Sequence, residues 1–212
     1  MAVIGRYIAR RIARLSQGDI YRNVTIVEGE YPDGLDQTSF AYSVLLSQDC
    51  DLQQDWDANL GLMKLTSADI EERRKLEDKI LRHLILAPCY IAKAFREGEH
   101  IEERHMQTWN KKEMEKQIKE NKHIRYHFLP NEPGLQEQNL VVDFKHYFSM
   151  QRDQFYELAK RRHEFEYVCS IALLYREALS KRFGEYLSRI GFPNEDELVN
   201  GMKILKRVGL DP

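Results

Sequence analysis

The stretch of sequence that most constrains the fold is YSVLLSQDCDL, residues 42–52. Residues 43–46 have the length and composition of a strand that is buried on both faces. Polar and reactive side chains follow at once at residues 47–51. A core strand fixes the position of its end, and a loop there can present chemical groups to a ligand. We therefore expect one edge of any site at this loop, which an acidic, poorly helical stretch at residues 53–59 should follow.

The composition indicates a soluble globular protein, with 31% charged and 42% apolar residues in a chain of 212. This length suits one compact domain with an appendage, or two small domains. The formal net charge of −2 does not by itself require a nucleic-acid partner. No apolar run approaches the length of about 18 residues that a membrane span needs, so we expect no membrane span.

We expect a cytoplasmic location. Residues 1–15 carry arginines where a signal peptide would have its apolar core. The three cysteines are widely separated and form neither a disulfide framework nor a zinc-binding pattern, which is typical of a reducing compartment.

Residues 1–15 combine apolar residues at helical spacing with Arg6, Arg10 and Arg14, which lie four apart. One interpretation is a basic amphipathic helix that contacts phosphate, an acidic partner or a membrane surface. The other is a terminal helix or strand that docks on the core and leaves its arginines in solvent. The first interpretation makes Arg6 and Arg10 candidate nucleic-acid contacts.

Short β-rich runs predict strands at residues 20–27, 39–46, 84–91, 125–130 and 140–144. The turn signal Tyr-Pro-Asp-Gly at residues 31–34 separates the first two strands, and a Pro-Gly turn joins the last two as a hairpin. Pro88 cannot donate a backbone hydrogen bond, so its end of the third strand should be an edge or a bulge.

Helices are predicted in three regions. The first starts at residues 66–69 and should end near His83, with one face packed on the core. The second, within residues 95–122, should be one or two exposed helices that form a flap or a partner-binding arm, or a solvated helix packed through Trp109 and Ile118. From residue 151 the chain should be helical, with one apolar stripe over residues 168–190, a stop at residues 191–193 and a last helix to about residue 206.

Cys50 lies between Asp49 and Asp51 and is the most distinctive chemical feature. It could act as a nucleophile or a metal ligand together with His127 or Cys89. The flanking carboxylates would raise the pKa of its thiol, which disfavours a nucleophile, and the spacing matches no metal signature. The alternative is a small buried residue at a strand end. We expect no metal and no cofactor, and Cys50, Asp51 and His127 are the candidate catalytic residues.

Basic and aromatic residues alternate at the two ends of the predicted hairpin: Arg125, Tyr126, His127, Lys145, His146 and Tyr147. Stacking together with phosphate contacts could hold single-stranded nucleic acid there. An ordinary surface strand of mixed composition would look the same. Arg125, Tyr126 and Lys145 join Arg6 and Arg10 as candidate nucleic-acid contacts.

The order of these parts resembles the PemK/MazF family of small SH3-like barrels. The resemblance rests on a Gly18-Asp19 opening, a core strand with a polar end, the strand LILAPCY, a hairpin ending in LVVDFKHYFSM and a following helix, and it covers residues 17–160 without the helical insertions. Members that cut RNA are endoribonucleases with an arginine before the first core strand and a hydroxyl residue after the proline of the second. Here those places hold Ala41-Tyr42 and Cys89-Tyr90. The SQDCDL loop and the C-terminal helix YREALSKRFGEYLSRIG also resemble stretches of bacterial and phage proteins of unknown function.

These features together predict an α+β fold. A small SH3-like β-barrel should occupy residues 1–150, with helical insertions at about 67–84 and 95–122, and a helical extension should occupy residues 151–212. The predicted function is a non-catalytic module that binds nucleic acid or a protein partner, and the resemblance implies an accessory component of a toxin–antitoxin or phage-defence system. One alternative is an endoribonuclease or other phosphodiesterase that uses the Asp49-Cys50-Asp51 loop and His127. Another is an interaction subunit that binds a protein partner through the helical insertion or the long C-terminal helix.

Overall fold

The fold is mixed α+β, as predicted. The computed structural model describes residues 5–9, 14–31, 34–66, 69–100, 112–133, 136–160 and 165–189. The elements in chain order are β1 (Tyr7–Ile8), β2 (Asp19–Tyr31), β3 (Gly34–Leu45), α1 (Asp49–Leu62), α2 (Ile70–Glu77), β4 (His83–Ile91), α3 (Ala92–Glu97), α4 (Lys112–Lys119), β5 (Tyr126–Leu129), β6 (Leu140–Asp143), β7 (Phe148–Gln151), α5 (Arg152–Lys160), β8 (Glu166–Ile171) and α6 (Leu173–Leu187).

The strands form one antiparallel sheet in the order β1-β8-β2-β3-β4-β6-β5, and β7 also pairs with β4. The sheet is open, because no backbone ladder joins β1 to β5 within the described part of the chain. The two ends nevertheless come close: the Tyr7 hydroxyl donates to the Pro130 carbonyl at 2.7 Å. The predicted closed SH3-like barrel is therefore not confirmed, and the sheet is a strongly curled one.

The main hydrophobic core lies inside this curl. Its buried members come from every strand except β7 and from α6, and they include Tyr7, Ile20, Val44, Leu140, Cys169 and Leu179. A second cluster packs α5 on β2 and β4 through Tyr21, Leu84 and Phe155. The α3 and α4 helices cover a third cluster through Phe95 and Ile118, which are both fully buried.

The strands predicted at residues 20–27, 39–46, 84–91, 125–130 and 140–144 are confirmed as β2 to β6. Tyr31 pairs with Gly34 across the end of the β2–β3 hairpin, as the turn signal requires, and Pro32 and Asp33 lie outside the described residues.

The prediction that Pro88 marks an edge or a bulge is wrong. β4 is an interior strand, and Pro88 pairs with Ser43 of β3 in regular register. On the other side of β4, β7 pairs as far as Leu86 and β6 pairs from Cys89 onward. Pro88 falls in the interval between these two partners, where a backbone N–H would have no strand to donate to.

The predicted polar loop after the core strand, with a poorly helical stretch at residues 53–59, is also wrong. This segment forms α1, a helix of 14 residues that begins at Asp49. Asp49 and Asp51 lie in its first turn, where negative charge interacts favourably with the helix dipole. The buried Asp55 carboxylate binds Arg152 at 2.7 Å and the backbone N–H of Leu81 at 3.0 Å. These tertiary contacts outweigh the low helix propensity of aspartate.

Two predicted helices differ from the structure. α2 ends at Glu77 rather than near His83 and has no buried residue, so its predicted core face is absent. Within residues 95–122, packing through Ile118 is confirmed, and Trp109 lies outside the described residues.

The continuous helical stripe over residues 168–190 is wrong at its start. Residues 166–171 form β8, which pairs with both β1 and β2, and α6 begins only at Leu173. The segments predicted as a stop at 191–193 and as a last helix lie outside the described residues.

The division of the chain into a domain of residues 1–150 and an extension of residues 151–212 stays a prediction.

The N-terminal helix is not formed at Tyr7 and Ile8, which are a strand paired with Ile171 and Ser170 of β8. The docked-strand interpretation therefore holds for these two residues. Among the described helices, none is long and apolar enough to cross a membrane.

Candidate functional site

A cavity of about 300 Å³ lies where the two ends of the sheet approach each other. β1, the C-terminal end of α4, β5 and the first half of α6 surround it. The lining residues that bear on binding are Arg6, Tyr7, Lys119, His127, Phe128 and Tyr175. The volume is at the lower end of the range for ligand pockets.

The β5 side of the cavity is sealed by side chains instead of a further strand. The Asn121 side chain accepts from the Phe128 backbone N–H at 2.6 Å and donates to the Phe128 carbonyl at 3.1 Å. The Arg182 guanidinium donates to the Tyr126 carbonyl at 2.9 Å, and also to the carbonyls of Asn121 and His123. Together with the bond from Tyr7 to Pro130, these contacts satisfy backbone groups that an edge strand would otherwise expose.

Two cationic side chains line the cavity, and the Glu132 carboxylate, which is not among the lining residues, accepts from the Arg6 backbone N–H at 3.0 Å. The two cations are Arg6 and Lys119, and none of the described lining residues is Asp or Glu. The Lys119 ammonium pairs with Glu115 at 2.6 Å on the exposed surface of α4. The Arg6 guanidinium carbon lies 5.7 Å from the centre of the Tyr175 ring, and Tyr175 is 38% exposed. A cation beside an accessible aromatic face suits a ligand that is both anionic and aromatic.

His127 lies in the wall of this cavity and is only 6% exposed. Its Nδ1 atom is enclosed and has no hydrogen-bond partner among the described residues. Burial, with a smaller contribution from the positive charge of Arg182, lowers the pKa of His127 to about 3. The imidazole is therefore uncharged at neutral pH.

Arg125, Tyr126 and Lys145, which were predicted to contact nucleic acid, do not line this cavity. Arg125 makes two hydrogen bonds of 2.8 and 2.7 Å to the fully buried Asp143 carboxylate, which also binds His146 at 2.8 Å. Tyr126 is 1% exposed, so its ring is not available for stacking. Lys145 is exposed on the surface beside this pair. Of the predicted nucleic-acid contacts only Arg6 lines the cavity, and Arg10 lies outside the described residues.

Burial alone would raise the pKa of Asp143, but hydrogen bonds from Arg125 and His146 hold that pKa below its usual value. An aromatic layer adjoins the pair. The Arg125 guanidinium lies 4.8 Å from the centre of the Tyr126 ring, and Phe95, His100 and Tyr90 continue the layer. Burial lowers the pKa of His100. We assign this cluster a structural role, because the strong ion pair joins β5 to β6.

A second cavity, of about 290 Å³, adjoins the start of α1. Ser47, Gln48 and Asp51 line one side of it, and Ser180 and Gly184 of α6 line the other. The end of the core strand thus borders a cavity, and the expectation that a functional site has one edge here stays a prediction.

Cys50 is exposed, and its Sγ atom lies 3.6 Å from Gln48 Oε1 and 3.6 Å from Asp51 Oδ1. His127 lines the other cavity, so the structure does not bring Cys50, Asp51 and His127 into one cleft. Asp49 is held by Arg14 at 2.9 Å and Arg176 at 3.1 Å. Burial alone would raise the pKa of Asp49, but these two arginines and the Gln17 N–H lower it overall.

Lys119, Asn121 and Tyr175 were not singled out from the sequence. Lys119 and Asn121 lie at the end of α4, far from Tyr175 in the chain, and the three residues line one cavity only because the sheet curls, so no local pattern marks them. Within the described residues, no group of three or more His, Cys, Asp and Glu side chains is arranged to hold a metal ion.

Comparison of this chain with models of protein families, with curated proteins and with solved structures gave no match.

Proposed function

We propose that this protein is a non-catalytic binding module that holds single-stranded nucleic acid in the cavity between β1 and β5. The observation that carries the proposal is the position of the Arg6 guanidinium beside the accessible Tyr175 ring, in a cavity lined by a second cation and by no described carboxylate. A nucleotide offers a phosphate to the cations and a flat base to the ring.

Each group has a distinct task in this proposal. Arg6 and Lys119 contact the phosphates, which gives affinity that does not depend on sequence. Tyr175 stacks on a base, a contact that contributes about 1–3 kcal/mol. The Tyr7 hydroxyl is already hydrogen-bonded to the Pro130 carbonyl, and this contact stabilises the wall of the cavity.

The barrel-like arrangement and the PemK/MazF relationship remain part of the proposal, together with an accessory role in a toxin–antitoxin or phage-defence system. The close approach of β1 and β5 supports a barrel-like curl. The ribonuclease alternative has less support: Cys89, which follows Pro88, is buried in the core, and Asp51 and His127 border different cavities.

A second candidate function is an interaction subunit that binds a protein partner through α6. Its first turn exposes Leu173 by 57% and Leu174 by 66%, and the neighbouring Ile8 is also exposed. An apolar surface of this kind is a common mark of protein–protein contact.

The test is a salt titration of binding to short fluorescent strands of single-stranded RNA and DNA, with strand length checked on a gel. We expect affinity to fall steeply with salt and the strands to stay intact. Arg6→Ala and Lys119→Ala should each reduce the salt slope by about one, and Tyr175→Ala should weaken binding about tenfold.

The matched controls are Arg73→Ala, Lys181→Ala and Tyr147→Ala, which remove exposed side chains that do not line the cavity. They should bind like the unmodified protein. Absence of binding at low salt would exclude the nucleic-acid module and favour the protein-partner candidate. Cleavage that is lost in Cys50→Ala would favour the ribonuclease.

A further inference from the structure

His127 is a polar residue in an apolar place. It pairs in register with Val142, its ring lies 6.3 Å from that of Phe144, and Leu129 two residues later is fully apolar and buried. Neither ring nitrogen hydrogen-bonds to a described residue. An unpaired buried polar group lowers stability, so Leu or Val at this position would give a more stable protein. A cost of this kind at the wall of a cavity calls for a functional explanation.

The two nitrogens are not equivalent. Nδ1 is enclosed and has no partner among the described residues, whereas Nε2 is not among the enclosed atoms, and the His127 side chain lines the cavity. A neutral imidazole carries one proton. An enclosed N–H without an acceptor is rarer than an under-satisfied lone pair, so we place the proton on Nε2. The cavity is thereby given one uncharged N–H donor.

We infer that a single unpaired base enters this cavity and that His127 Nε2 donates a hydrogen bond to a carbonyl oxygen on the edge of that base. The inference rests on the proposed function and adds selectivity to it: bases with a carbonyl oxygen are preferred at this position. Arg6, Lys119 and Tyr175 provide phosphate contacts and stacking, which any nucleotide can use, and His127 provides the contact that depends on the base.

Two further observations fit one base. The volume of about 300 Å³ suits one small ligand rather than several stacked bases. The lowered pKa of His127 keeps the imidazole uncharged, so it is suited to a neutral base edge rather than to a phosphate. The contact should consequently be as strong at pH 6 as at pH 8.

The experiment uses strands of abasic nucleotides with a single base, so that only one base is able to enter the cavity. One strand carries thymine, a second carries difluorotoluene, which has the shape of thymine but forms almost no hydrogen bonds, and a third is wholly abasic. Binding of each is measured by fluorescence anisotropy with the unmodified protein and with His127→Leu, His127→Gln and, as a control, His83→Gln on the exposed end of β4.

The unmodified protein and the His83→Gln control should bind the thymine strand about tenfold more tightly than the difluorotoluene strand, because one neutral hydrogen bond contributes about 1 to 1.5 kcal/mol. His127→Leu should lose this preference, and His127→Gln, which keeps an N–H donor, should retain much of it. His127→Met gives a second apolar variant in case His127→Leu does not fold.

A thymine preference that persists in His127→Leu would overturn the inference. So would equal binding of thymine and difluorotoluene by the unmodified protein while both bind more tightly than the abasic strand. In those two cases the proposed function would stand. Absence of binding to any strand, including oligothymidine at low salt, would overturn both.

Discussion

The side-chain amide of Asn121 pairs with both backbone groups of Phe128, in the manner of a neighbouring strand. It accepts from the Phe128 N–H at 2.6 Å and donates to the Phe128 carbonyl at 3.1 Å. Asn121 has a positive φ of 56°, a conformation that asparagine tolerates better than most residues. One side chain thus ends the sheet at β5 and leaves room for the cavity beside it.

Asn121→Ala should destabilise the protein by about 2–3 kcal/mol, because it removes two hydrogen bonds and places alanine at a positive φ. Asn121→Gly is the matched control, since glycine accepts this φ and only the hydrogen bonds are lost. Urea unfolding should therefore rank the stabilities as native, then glycine, then alanine. Equal stability of all three would show that the Asn121–Phe128 contact does not hold the edge.

His127→Leu should raise the free energy of unfolding by about 1 kcal/mol, because it replaces an unpaired buried imidazole by an apolar side chain of similar size. Urea unfolding at pH 8 is the measurement. The exposed His83 provides the control, since His83→Leu removes no such cost. A variant that is less stable than the unmodified protein would show that His127 has a partner in solution.

Acid should destabilise the fold partly through His127. Its pKa is about 3 in the folded protein and near 6.5 in the unfolded chain, so between these values the unfolded state binds the extra proton. The contribution of His127 is complete above about pH 6.5 and falls as the pH drops toward 3, by at most about 1.4 kcal/mol per pH unit. Unfolding measured from pH 7 to pH 5 should have a smaller slope in His127→Leu. An unchanged slope would contradict the lowered pKa.

Asp143→Asn should cost about 3–5 kcal/mol, because it leaves the Arg125 guanidinium without its buried partner. Lys145→Ala, at an exposed neighbour, should change stability by less than about 0.5 kcal/mol. Thermal unfolding compares the two. Similar melting temperatures would mean that the pair is not the structural link between β5 and β6 that its geometry indicates.

Alkylation should modify one of the three cysteines in the folded protein. Cys50 is exposed, whereas Cys89 and Cys169 are buried, and burial raises the pKa of the Cys169 thiol to about 12. Mass spectrometry after brief iodoacetamide treatment should show a single adduct that is absent from Cys50→Ser, and urea should release the other two thiols. A second adduct under native conditions would contradict the buried position of β4 or β8.

The local pattern was sufficient to predict β2 to β6, because a strand that is buried on one or both faces carries its own periodicity. It failed at β8, where Val168 and Ile171 are compatible with a helix as well as a strand. The choice depends on the pairing of Ile171 with Tyr7, a contact between distant parts of the chain. α1 was missed for a similar reason, since the partner of Asp55 is Arg152.

The candidate site was predictable only in part. Arg6 was singled out because arginines recur four apart in residues 1–15, and His127 because basic and aromatic residues flank it in sequence. Lys119 and Tyr175 belong to ordinary charged helices, and their role depends on the curl that brings α4 and α6 to the same cavity. Arg125 and Tyr126 are residue types that often bind nucleic acid. In the structure, however, Arg125 is paired with the Asp143 carboxylate and Tyr126 is buried, so both stabilise the fold.

The pairing of β1 and β2 with β8 has a consequence for synthesis of the chain on the ribosome. The Ser170 hydroxyl of β8 donates a hydrogen bond to the Asp19 carboxylate of β2, and these two residues lie 151 positions apart in the chain. The β2–β3 hairpin involves near neighbours and can form early, whereas β1 gains its partner only when β8 has emerged. The wall of the cavity that carries Arg6 is therefore among the last parts of the sheet to be completed, and during elongation a nascent chain with β2 and β3 in place would not yet be able to bind a ligand.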